Sequence, residues 1–150
     1  MSNLIIDGDE LTLALESYHD EIQYVLDCET GEVIPMPANG SEFPIEEDLK
    51  ELIDQNLGTR FIGIEPLASH ESWQVMNDFI EQLPSGDVTR RLIRALEGKS
   101  PFRRFKDVLL NYPTVRDEWF KFHEDALFQL AREWLKDNSI DATLKRIQRP

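Results

Sequence analysis

Apolar positions change period several times along the chain, and each change marks an element. Asp7 and Glu10 stand at capping-box spacing ahead of Leu11, Ala14, Leu15 and Tyr18, which share one helical face. A short helix is therefore expected, ending near His19 or Asp20. Ile22, Tyr24 and Leu26 then alternate, Glu29-Thr30-Gly31-Glu32 reads as a turn, and Val33 and Ile34 resume an apolar segment. This predicts a β-hairpin in which Gly31 supplies a positive φ. Pro35 and Pro37 are expected to end its second strand, because proline cannot donate to a ladder. A loop rich in Pro, Gly, Asn and Ser runs from Pro37 to Pro44. Pro44 suits the first turn of a helix whose buried stripe is Ile45, Leu49, Leu52 and Ile53, with Glu46, Glu47 and Asp48 opposing its first amide dipoles. Asn56 and Gly58 stop it, and Arg60 to Ile64 reads as a third strand added to the hairpin.

Beyond residue 70 the period is helical. Trp73, Met76, Ile80 and Leu83 mark one helix closed by Pro84, and Val88, Leu92 and Leu96 mark another with Gly98 as its C-terminal cap. Ser100-Pro101 can cap and start a third, which buries Phe102, Phe105 and Leu109 and ends before Pro113. The longest helix is expected from about Val115 to Lys136, with Trp119, Phe120, Leu127, Leu130, Ala131 and Trp134 on its apolar face. The last ten residues, weaker in periodicity, are expected to fray or form a short turn. The whole reads as a single α+β domain over residues 1–150. A small three-stranded antiparallel sheet lies within 20–65, about six helices are present, and residues 70–150 are mainly helical. Strands early and helices late argue against alternating βα units.

Composition narrows the class further. An apolar content of 41%, with eight Phe and three Trp, supports a packed core. No apolar run approaches the roughly eighteen residues needed to span a bilayer. The first residues carry acids where a signal peptide carries bases, so a cytoplasmic location is expected. Residues 1–85 hold 19 acids and 2 bases, whereas residues 86–150 hold 10 acids and 14 bases. Net charge −13 repels nucleic acid overall, yet Arg90, Arg91, Arg94, Lys99, Arg103, Arg104 and Lys106 face one acid, Glu97, within their own stretch. Two neighbouring helices could present Arg90, Arg94, Lys99, Arg103, Arg104 and Lys106 to a phosphate, an acidic peptide or RNA. The competing expectation is that these bases pair with the acidic first half. Phe102 and Phe105 fall at core spacing rather than at positions for stacking on bases.

Catalytic patterns are missing. His19, His70 and His123 are isolated, the Asp7–Glu10 acids lack a calcium-loop series, and no nucleophile elbow, phosphate loop or cofactor-binding pattern occurs. The lone Cys28 lies beside Asp27 and Glu29, which weaken a thiolate.

Several stretches together resemble a bacterial family, uncharacterised protein family 0158. They are Tyr24-Val25-Leu26-Asp27 before Glu29-Thr30-Gly31-Glu32-Val33; Trp73 with Met76, Asp78 and Phe79; the run Leu96 to Leu109; Trp119-Phe120; and Ala131-Arg132-Glu133-Trp134-Leu135. The resemblance implies a bacterial, cytoplasmic protein and brings no catalytic residue. Ser100 stands where members of that family often carry glycine, which suits a tight interhelical link. The expected function is a non-enzymatic protein-binding or regulatory domain without cofactor or metal, its partner another protein. Two alternatives stay open: an RNA- or phosphate-associated protein using the 90–106 bases, and a hydrolase assembled from distant acids and histidines.

Overall fold

In chain order the elements are β1 (Ile5–Asp7), α1 (Gly8–Leu15), β2 (Ile22–Asp27), β3 (Val33–Pro37), α2 (Glu47–Gln55), β4 (Phe61–Ile64), α3 (Ser69–Gln82), α4 (Asp87–Glu97), α5 (Pro101–Leu109), α6 (Pro113–Asp137) and β5 (Thr143–Lys145). This computed structural model describes residues 4–17, 22–37 and 46–146. The chain groups into two units, residues 1–66 with 128–150, and residues 67–127.

In the first unit Asp7 Oδ1 accepts from the amides of Asp9 and Glu10 at 3.0 and 3.4 Å, satisfying two orphan donors of α1. That helix stops at Leu15, earlier than the sequence suggested. Tyr18, His19 and Asp20 lie outside the described residues, as do Pro44, Ile45 and most of the expected 37–44 loop. The three-stranded sheet is antiparallel throughout, in the order β3-β2-β4. Gly31 sits in its turn at φ +82°, and a Cβ there would strike the carbonyl oxygen of Ile5.

Pro35 does not end its strand; β3 continues through it to Pro37, where the strand ends among the described residues. The register explains why. Asp27 donates to the Glu32 carbonyl at 2.9 Å, so the bonded pairs with β3 continue as Val25/Ile34 and Gln23/Met36. Pro35 and Pro37, opposite Tyr24 and Ile22, turn their nitrogens away from β2, where no donor is needed. On the other side Cys28 donates to the Arg60 carbonyl at 2.8 Å, which places the peptide groups of Phe61 and Gly63 on the outer edge of β4. Those of Phe61 are used locally: its amide donates to Asn56 O at 3.1 Å, and Gly58 donates to its carbonyl at 2.7 Å.

Val25, Ile34, Ile53 and Phe61 form one core cluster, with Met36 and Leu49 against it. The buried stripe of α2 is narrower than expected: Ile53 is buried, but Leu52 is 38% exposed. The pairing of β1 with β5 was not anticipated. It is parallel, with Ile6 opposite Leu144, and Ile6 is completely buried. Gly8 opens α1 directly beneath the Phe128 ring, where a Cβ would collide.

The second unit holds α3, α4, α5 and α6 as far as Leu127. Phe79, Phe105 and Trp119 meet edge to face at centroid distances of 4.9 to 6.5 Å, with Phe122 joining them. Phe120 does not belong to this apolar face. One position beyond Trp119, it is rotated outward, 50% exposed, with Arg116 over its ring at 5.0 Å.

Candidate functional site

The basic corner is built by α4, a three-residue link and α5. Leu92, Ala95 and Leu96 turn inward on α4, and helical geometry therefore puts Arg90 and Arg94 on the opposite side, with Arg91 flanking. Phe105 and Leu109 are the inward residues of α5, leaving Arg103 and Lys106 to solvent. Ser100 turns the corner in the left-handed conformation, φ 52° and ψ 53°, and makes no side-chain cap bond. That conformation suits glycine better than serine. Gly98, by contrast, is extended; its missing side chain makes room for the Arg104 guanidinium, which lies against it beyond the last turn of α4. Trp73 Nε1–H donates to the Leu96 carbonyl at 3.3 Å, fixing the end of α4 to α3 and satisfying one of its orphan acceptors.

All seven bases from Arg90 to Lys106 are exposed. Arg90 pairs with Asp87 on its own helix. Arg91, Arg94, Lys99, Arg103, Arg104 and Lys106 make no ion pair among the described residues. Ile93, 43% exposed, lies one position before Arg94 and three after Arg90 on α4. Phe102 is half-buried and Phe105 fully buried, so the two rings pack inward as their spacing indicated.

A second charged group, overlooked in the sequence, lies at the hairpin turn. Asp27 is 3% exposed and takes both hydrogen bonds of a fork from Arg60, Nε to Oδ1 at 3.0 Å and Nη2 to Oδ2 at 2.9 Å. The Glu29 amide donates to Oδ1 at 2.9 Å, and Glu29 also pairs with Arg60 at 3.2 Å. Burial pushes this carboxyl up, but the bonds from Arg60, Glu29 and Thr30 and the Arg60 charge outweigh it and hold it below its ordinary value. A usable signal existed: Asp27 shares the inward phase of Val25, and an acid on a buried phase needs a base, here just ahead of β4. The neighbouring Cys28 thiol is pushed up by burial and then by the Asp27 charge, which suppresses its thiolate.

His70 is exposed, and His123 stacks on Trp119 at 4.8 Å. Among the described residues no three of His, Cys, Asp and Glu gather as metal ligands would. His19 lies outside them. No helix among the described residues is long and apolar enough to cross a membrane.

Charge follows the division into units. The first holds 19 acids and 7 bases; the second holds 10 and 9, with seven of those bases at the helix corner. The molecule is thus an α+β protein with an acidic sheet-bearing unit and a cationic corner in its helical unit. It belongs to the uncharacterised protein family UPF0158, whose model matches residues 1–147. A curated bacterial relative, the UPF0158 protein PA5073 of Pseudomonas aeruginosa, is 30% identical over 97% of this chain and 91% of its own length. No solved structure matches.

Proposed function

We propose that this is a non-enzymatic cytoplasmic binding protein whose α4–α5 corner docks an acidic segment of another protein. The observation that carries the reading is the exposure of Arg91, Arg94, Lys99, Arg103, Arg104 and Lys106 without an ion-pair partner among the described residues. A polypeptide fits better than RNA for three reasons. Glu97 and Asp107 are exposed within the patch and repel a continuous phosphate chain. The nearby rings turn inward, so they offer little stacking surface. Ile93 gives an exposed apolar contact beside the arginines of α4, which suits acids interleaved with apolar side chains. The buried carboxylate Asp27 is committed to Arg60, which supports binding over catalysis.

Fluorescence anisotropy with a labelled Glu/Leu peptide, and separately with single-stranded RNA, tests the reading. The peptide should bind more tightly than RNA and weaken as salt rises. Exchanging Arg94 and Arg103 together for Gln should weaken it about tenfold, roughly 1.4 kcal/mol, with an unchanged circular dichroism spectrum. Equal affinity in the double variant, or tighter binding of RNA, overturns it.

A further inference from the structure

The two outer edges of the three-stranded sheet differ in a way that points to a second binding site, independent of the helix corner. A sheet edge recruits another strand through its outward amides and carbonyls. On β3 the outward positions include Pro35 and Pro37, which have no amide to offer. On β4 the outward groups of Phe61 are consumed by Asn56 and Gly58. Gly63 is the next outward position. It is exposed, and its amide and carbonyl make no hydrogen bond among the described residues. Nothing lies within 4 Å of where its Cβ would stand, so a second backbone can approach closely and a side chain has room over the strand.

Beside this position lies a groove of about 830 Å³. Its apolar walls include Val25, Ile53, Leu57 and Ile64, and Lys50, Asp54 and Glu65 also line it. The surrounding unit carries 19 acids against 7 bases. An added strand alternates its side chains between the two faces of the sheet. One set can meet the apolar walls while a basic set answers the acidic unit.

We propose that β4 accepts an extended, basic peptide segment of another protein by strand addition at Gly63, with alternate apolar side chains entering the adjoining groove. Main-chain bonds at Gly63 supply the register, and Asp54 and Glu65 favour basic over acidic sequences.

The test uses the full chain with two labelled probes, an alternating Lys-Val peptide and its Glu-Val counterpart. Hydrogen exchange read by NMR follows the Gly63 amide. Lys-Val should bind and slow exchange at Gly63, whereas Glu-Val should bind at least tenfold more weakly. Gly63→Pro removes the outward amide without removing a bond to β2, and should lower Lys-Val affinity about tenfold. A second variant, Gly63→Leu, keeps the amide but occupies the space over it and should also weaken binding. Both variants should retain the parent circular dichroism spectrum and unfolding temperature; if one unfolds, the other decides. Failure of the Lys-Val peptide to bind, equal binding of both peptides, or undiminished Lys-Val affinity in a folded variant overturns the proposal. Self-association abolished by Gly63→Pro, with no peptide binding, would assign the edge to a second copy of this chain and likewise overturn it.

Discussion

Replacing Ser100 by glycine should stabilise the protein. Ser100 carries φ 52° and ψ 53°, a conformation in which Cβ crowds the backbone at about 1–2 kcal/mol for an ordinary L-residue. Glycine relieves that crowding but gains freedom in the unfolded chain, which costs roughly 0.5–1 kcal/mol. The hydroxyl makes no cap bond, and the Arg104 amide bonds the Ser100 carbonyl at 3.1 Å in either variant. The expected gain is therefore about 0.5–1 kcal/mol, or roughly 1–4 °C in unfolding temperature for a chain of this size. Urea titration followed by circular dichroism measures it, with Ser100→Ala as the comparison that removes the hydroxyl and keeps Cβ. Ser100→Ala should stay within about 0.5 kcal/mol of the parent. If Ser100→Gly is less stable than Ser100→Ala, the strain argument fails.

Two further outcomes concern the first unit. Asp27→Asn should cost about 2–3 kcal/mol at neutral pH by weakening the fork from Arg60. The folded state holds the Asp27 proton more weakly than the unfolded chain does, so its contribution is present above the unfolded value near pH ~4 and fades as pH falls through the lower folded value. Parent and variant stabilities measured by urea titration should converge below about pH 4; a constant gap would refute this. Gly8→Ala should cost about 1–3 kcal/mol, because its Cβ must displace the buried Phe128 ring. An unchanged unfolding midpoint would show that the ring yields freely.

The hairpin and helices α3 to α6 were legible because each is encoded within a few turns of chain. Amphipathic spacing marks the buried face, and Pro84, Gly98, Pro101 and Pro113 punctuate it. Strands β1 and β5 were not legible. Each has three residues, too few to display alternation, and their partners lie more than a hundred positions apart. Pro35 of β3 misled for a related reason. Whether a proline breaks a ladder depends on which way its nitrogen points, and that is fixed by pairing with β2. The basic run at 90–106 was plain in the sequence, but its exposure required the inward packing of Leu92, Leu96 and Phe105 to be seen. Asp27 and Arg60 stand 33 residues apart, and only the sheet register brings them together.

The parallel pairing of Ile5–Asp7 with Thr143–Lys145 orders events during translation. The ribosome makes the acidic unit's first 66 residues early, yet that unit also needs residues from 128 onward. The intervening helical unit is continuous, and its synthesis occupies roughly 3–12 seconds at ordinary elongation rates. Throughout that interval Ile6 lacks Leu144, the residue opposite it in the strand pair. The unit begun before the helical one is completed only after it.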